Sequence, residues 1–86
     1  MQFELYTSAF CGPCRGARQV LADAERLVPR IHVREFDVVR DEARAKEQDI
    51  RSTPTIIVRD GTGRQVFRAQ GVPRLGQVLV AAASAL

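Results

Sequence analysis

The chain has 86 residues, 45% hydrophobic and 27% charged, with a net charge of +3. This balance excludes a disordered chain, and no apolar run approaches the roughly 18 residues a membrane span requires. Thirteen basic residues, twelve arginines and one lysine, are scattered among ten acids. That dispersal predicts a solvated mixed-charge surface and no nucleic-acid or membrane partner.

A chain this short forms one domain over residues 1–86 and buries a little over ~60% of its unfolded surface. "MQFELYTSAF" opens the chain with polar and apolar residues in alternation, with no basic start before a long apolar stretch. A cytoplasmic location and a monomeric state are therefore expected.

In chain order, "QFELY" (2–6) alternates, with Phe3 and Leu5 on one face, and predicts a strand. "TSAF" is a loop. From Gly12 to Val28, Cys14, Ala17, Leu21, Ala24 and Val28 form one helical stripe. Pro13 suits the first turn, where a missing N–H costs nothing, and Pro29 ends the helix. "IHVREFDVV" (31–39) predicts a second strand, and Asp41 is a candidate cap for a short helix over 42–49.

"TIIVR" (55–59) is a buried type of strand after Pro54, and the "DGTG" turn (60–63) joins it to "RQVFRA" (64–69) as a hairpin. A last helix over 73–85 would bury Leu75, Val78, Leu79 and Ala82. The order is βαβαββα, an α/β arrangement with a four-stranded mixed sheet flanked by three helices. Its helix-linked first two strands should be parallel, and the hairpin adds an antiparallel pair.

Both cysteines lie in "SAFCGPCRG", residues 8–16. Two cysteines in a reducing compartment point to catalytic redox chemistry or to metal. Cys11 falls where the loop meets the first helix. Free N–H groups and the helix dipole there favour a thiolate, lowering a pKa of about 8.5 in a free thiol, and Arg15 adds to the effect. Cys14, one turn inside, belongs to the buried stripe.

An exposed nucleophile with a buried resolving thiol is the arrangement thiol–disulfide exchange requires. Gly12 and Pro13 separate the two, and Pro13 stiffens the turn. The metal reading stays open: a zinc site needs four ligands, His32 is the only further soft one, and a second chain would have to supply the rest.

"CGPC" after a strand, "IRSTPT" about forty residues later and then "DGTGRQVFRAQGV" resemble the thioredoxin family. The resemblance covers essentially the whole chain. Its length resembles the compact thioredoxin-like and glutaredoxin-like members, which lack the extra N-terminal strand and helix. It implies a compact thioredoxin-like fold and a redox-active Cys11–Cys14 disulfide in place of any other cofactor. Cys11 would be the attacking thiol and Cys14 the resolving one. It makes Pro54 the family's cis-proline facing the disulfide, with the backbone of Thr53 turned toward an incoming peptide. Gly71 and Val72 match the glycine-containing loop beside the site.

Three departures stand out. Phe10 replaces the usual tryptophan before the first cysteine and would serve as an apolar platform for substrate. Leu5 occupies the place of the family's buried acid, which helps to take the resolving thiol's proton, and Glu35 occupies that of its lysine partner. Glu35 is therefore a candidate proton acceptor for Cys14, partly buried with a raised pKa. Finally, "AQGVPRLGQ" has none of the acids with which glutaredoxins hold glutathione.

The function expected is reduction of protein disulfides, with a thioredoxin reductase-type flavoenzyme or glutathione restoring the dithiol. Gly-Pro between the cysteines is similar to the reducing members of the family. The alternatives are a glutathione-coupled electron donor of glutaredoxin type, a metal or iron–sulfur module bridged across a dimer by the cysteines, and a docking module without turnover.

Overall fold

A computed structural model describes residues 1–86. Its elements are β1 (Gln2–Thr7), α1 (Gly12–Leu27), β2 (His32–Asp37), α2 (Glu42–Glu47), β3 (Thr55–Arg59), β4 (Gln65–Gln70) and α3 (Leu75–Ser84). The four strands form one sheet in the order β2-β1-β3-β4. β1 pairs parallel with β2 and antiparallel with β3, and β3 pairs antiparallel with β4. This is the mixed sheet that the pattern of elements predicts.

β1 is an inner strand, and from Phe3 to Thr7 it is buried on both faces because each side of the sheet is covered by packed side chains. Phe3, Leu5, Ile56 and Val58 face one side and join Ala17, Leu21 and Ala24 of α1 and Val78, Ala81 and Ala82 of α3 in the main core. Burying one large aliphatic side chain such as Leu21 contributes about 1.5–3 kcal/mol. The small residues of α1 and α3 let the two helices approach closely. That explains the one shift in the expected α3 face: Ala81, Ala82 and Ala85 are buried, while Leu75 and Leu79 pack partly buried at its margin. On the other side Tyr6, Phe36 and Ile57 form a second cluster, with Phe36 stacked on the Tyr6 ring at 5.2 Å.

The boundaries follow local chemistry. Pro13 stands in the first turn of α1, and Val28 closes the helix, its N–H donating to the Ala24 carbonyl. Asp41 precedes α2 but does not cap it. Its carboxylate instead accepts the Asp37 N–H, which corrects the expected capping role. In the hairpin, Asp60 accepts N–H bonds from Thr62 and Arg64, and Gly63 closes the turn at φ +87°, a conformation glycine adopts without steric cost. β2 is shorter than the predicted 31–39, because after Asp37 the chain turns on the Asp37 carboxylate, which accepts the Val39 and Arg40 N–H groups.

Candidate redox site

Cys11 caps α1 without being part of it. Its backbone is extended, and its sulfur accepts the Cys14 N–H at 3.1 Å. The two cysteines form a disulfide with Cα atoms 5.3 Å apart. Their exposure differs as the helical stripe predicts: Cys14 is buried, Cys11 only half-buried, and Gly12 and Pro13 between them are exposed. The pair opens onto a shallow groove of about 590 Å³, lined by Ser8, Phe10, Gly12, Arg15 and Arg18 together with the cysteines.

Three distant stretches meet here. The hydroxyls of Ser8 and Thr53 are hydrogen-bonded at 2.7 Å, tying the loop before Cys11 to the segment before β3. The Thr53–Pro54 peptide is cis, and the buried Pro54 accepts the Gly71 N–H at 2.9 Å. Gly71 stands at φ +82°. The Val72 methyls rest over Gly16 of α1, where an added Cβ would lie 3.4 Å away. The chain segments holding Cys11, Cys14, Thr53, Pro54, Gly71 and Val72 are therefore joined by direct contacts.

Phe10 is fully exposed, and its backbone sits in the left-handed region at φ 57°. That region is uncommon for any residue but glycine. With the half-exposed Val72 it places apolar surface next to the cysteine pair.

Glu35 differs from expectation. It lies on the neighbouring strand, in register with Leu5, but it is exposed and fully paired. Arg18 of α1 holds it bidentately at 2.7 and 2.6 Å, and the Thr7 hydroxyl donates at 3.0 Å. The Arg18 bonds hold its carboxyl below the usual range, outweighing the effect of partial burial. A carboxylate so stabilised is a weak proton acceptor, which corrects the role expected of Glu35.

A different acid is buried. Glu4, on the sheet face opposite Leu5, has no exposed surface and binds Arg44 at 2.5 Å, Arg59 at 3.1 Å and the Tyr6 hydroxyl at 3.0 Å. Burial pushes its carboxyl up, but the Arg59 and Tyr6 hydrogen bonds and the two arginine charges overcome this and leave it below the usual range. Alternation in "QFELY" reads Glu4 as solvent-facing. Its burial comes instead from Arg44 and Arg59, which close over it from distant elements. Elsewhere His32 is exposed at the start of β2, and no three histidine, cysteine or acidic side chains gather as metal ligands. No helix is long and apolar enough to cross a membrane.

A family model described as thioredoxin matches residues 4–83. Among solved structures, thioredoxin-2 of the malaria parasite, described as a component of its protein secretion machinery, superposes with a TM-score of 0.88 at 15% identity, covering 96% of this chain and 81% of that one. Thioredoxin 1 of Thermosipho africanus gives 0.83 at 15% identity, covering 98% and 92%. Oxidised mitochondrial thioredoxin 3 of Saccharomyces cerevisiae gives 0.81 at 19% identity, covering 95% and 76%. At these identities the superpositions show a shared fold. A search of curated proteins finds no sequence match.

Proposed function

This chain belongs to the thioredoxin family, and from that premise we propose that it reduces protein disulfides, with Cys11 as nucleophile and Cys14 as resolving thiol. One observation carries the assignment of roles: Cys11 is half-exposed at the N-cap of α1, whereas Cys14 is buried one turn inside.

In the reduced protein the Cys11 thiolate is favoured by the Cys14 N–H that points at its sulfur and by the positive end of α1. It attacks one sulfur of a substrate disulfide, forming a mixed disulfide and releasing the first substrate thiolate, which takes a proton from water. Cys14 then attacks the Cys11 sulfur. The Cys11–Cys14 disulfide forms, and the second substrate thiolate leaves with the proton that Cys14 gives up. Two electrons pass from the protein to the substrate. Leu5 puts hydrocarbon where the family carries an acid, and Glu35 is held by Arg18, so no carboxylate serves the resolving step.

By the family resemblance, the backbone of Thr53, whose hydroxyl is hydrogen-bonded to Ser8 beside the cysteine loop, would meet the substrate chain. Phe10 and Val72 supply apolar contact. A flavoenzyme of thioredoxin reductase type or glutathione would return the electrons in a reducing, cytoplasmic setting. The absence of acids in residues 69–77 favours protein substrates over a glutathione-dedicated site.

The test is insulin reduction with dithiothreitol as the electron source, combined with mass analysis of trapped species. Cys11→Ser is expected to lose the activity entirely. Cys14→Ser should lose turnover yet accumulate a mixed disulfide on Cys11. A mixed disulfide trapped by Cys11→Ser and not by Cys14→Ser would reverse the roles.

A further inference from the structure

The groove beside the cysteine pair contains no acidic side chain: its charged lining consists of Arg15 and Arg18. These two arginines are not equivalent. Arg18 is spent on Glu35, with both carboxylate oxygens engaged. Arg15, the residue after Cys14, is exposed and takes part in no ion pair or side-chain hydrogen bond. The groove therefore carries one uncompensated positive charge, next to the fully exposed Phe10.

We propose that this groove selects protein disulfides whose flanking segment is acidic, and that Arg15 is the residue that reads the charge. The inference rests on the reductase reading above and names the substrate class for the same site. The occupant is a segment of a disulfide-bearing protein with an aspartate or glutamate within about two positions of the attacked cysteine. Its carboxylate would meet Arg15 while its apolar neighbours cover Phe10. Charge complementarity of this kind acts mainly on the rate of encounter and on the choice among partners. Because Arg15 is exposed, its effect should be modest and screened by salt.

The experiment uses the reduced full chain and short peptides whose single cysteine is activated as a 2-pyridyl disulfide, a neutral leaving group. Cys11 attacks the peptide sulfur, and thiopyridone is released and followed by absorbance. Peptides differ only in bearing glutamate, glutamine or lysine two positions from the cysteine. At about 50 mM salt the glutamate peptide should react roughly threefold faster than the glutamine peptide and about tenfold faster than the lysine peptide. At about 0.5 M salt the spread should fall below roughly twofold.

Arg15→Gln should flatten the series. Any change it makes to the Cys11 thiolate slows all peptides alike, so the ratio between peptides is the readout. A glutamine peptide as fast as the glutamate one, or a ratio unchanged in Arg15→Gln, overturns the proposal. So does the pyridyl disulfide of glutathione reacting faster than the glutamate peptide. Thiopyridone release that persists in Cys11→Ser would instead overturn the reductase reading.

Discussion

On the sheet face carrying Phe3, Leu5, Ile56 and Val58, α1 and α3 seal the sheet with hydrocarbon. On the face carrying Glu4, Tyr6 and Ile57 the cover is the six-residue α2, and only three residues form an apolar cluster. Charge completes that side. Arg44 reaches from α2 and Arg59 from the end of β3, and both close on Glu4. Arg44 and Arg34 also lie over the Phe36 ring at 4.4 and 5.0 Å. The redox pair belongs to the first face, because Cys14 is part of the α1 stripe that packs there. The comparison shows how a chain this small divides its labour: a hydrophobic layer holds the chemistry rigidly, and a polar network covers a face that its short helix cannot.

The two covers should fail differently. Leu21→Ala empties space at the centre of the apolar face and should cost about 2–5 kcal/mol, the largest effect expected here, read from urea unfolding. Glu4→Gln keeps the shape of the polar face but removes its central charge. Arg44 and Arg59 retain some exposure, with 37% and 19% of their side chains accessible, so they can recover part of their hydration. A loss of about 2 kcal/mol is expected, near the value of hydrogen bonds to a charged group. A cost for Glu4→Gln greater than that of Leu21→Ala would break the distinction between the faces.

Acid sharpens the same contrast. The folded Glu4 carboxyl is held below its usual range, so between its folded pKa and its unfolded value, about 4.3, the unfolded chain binds the extra proton. Stability from this group is present above that unfolded value and is lost as pH falls through the folded one. The wild type should therefore lose stability below about pH 4.3 more steeply than Glu4→Gln. Leu21→Ala should keep the wild-type slope, since it touches no titrating group. Equal slopes for the wild type and Glu4→Gln would remove Glu4 from the account.

The difference between the faces also marks what a reader of the sequence alone could see. The stripe of Cys14, Ala17, Leu21 and Ala24 repeats at helical spacing, so α1, its buried face and the unequal exposure of the cysteines were all legible. So was the hairpin, whose "DGTG" turn announces itself through Asp60 and Gly63. Glu4 was not legible, because its arginine partners lie 40 and 55 residues away and no local pattern joins them. For the same reason the sequence reads Glu35 as partly buried with a raised pKa, whereas its carboxyl is held below the usual range. Its carboxyl is set by Arg18, which comes from a different element.

Glu35→Gln is the smallest of the expected effects and bears directly on the redox face. The Arg18–Glu35 pair is exposed, so its loss should cost less than about 1 kcal/mol. Because the carboxyl is held below the usual range, it stays ionised throughout the pH range in which thiols react, and the pH profile of disulfide exchange should match the wild type. Charge selection should change, however. Without Glu35 the Arg18 guanidinium is no longer neutralised, so the groove carries two free cations where it had one. In the pyridyl disulfide series the preference for glutamate over lysine should then widen about twofold, with no change in the rate of the glutamine peptide beyond that factor. A shifted pH profile would restore Glu35 as a proton acceptor. An unchanged profile with a wider charge preference would identify it as the residue that keeps one of the groove's two arginines silent.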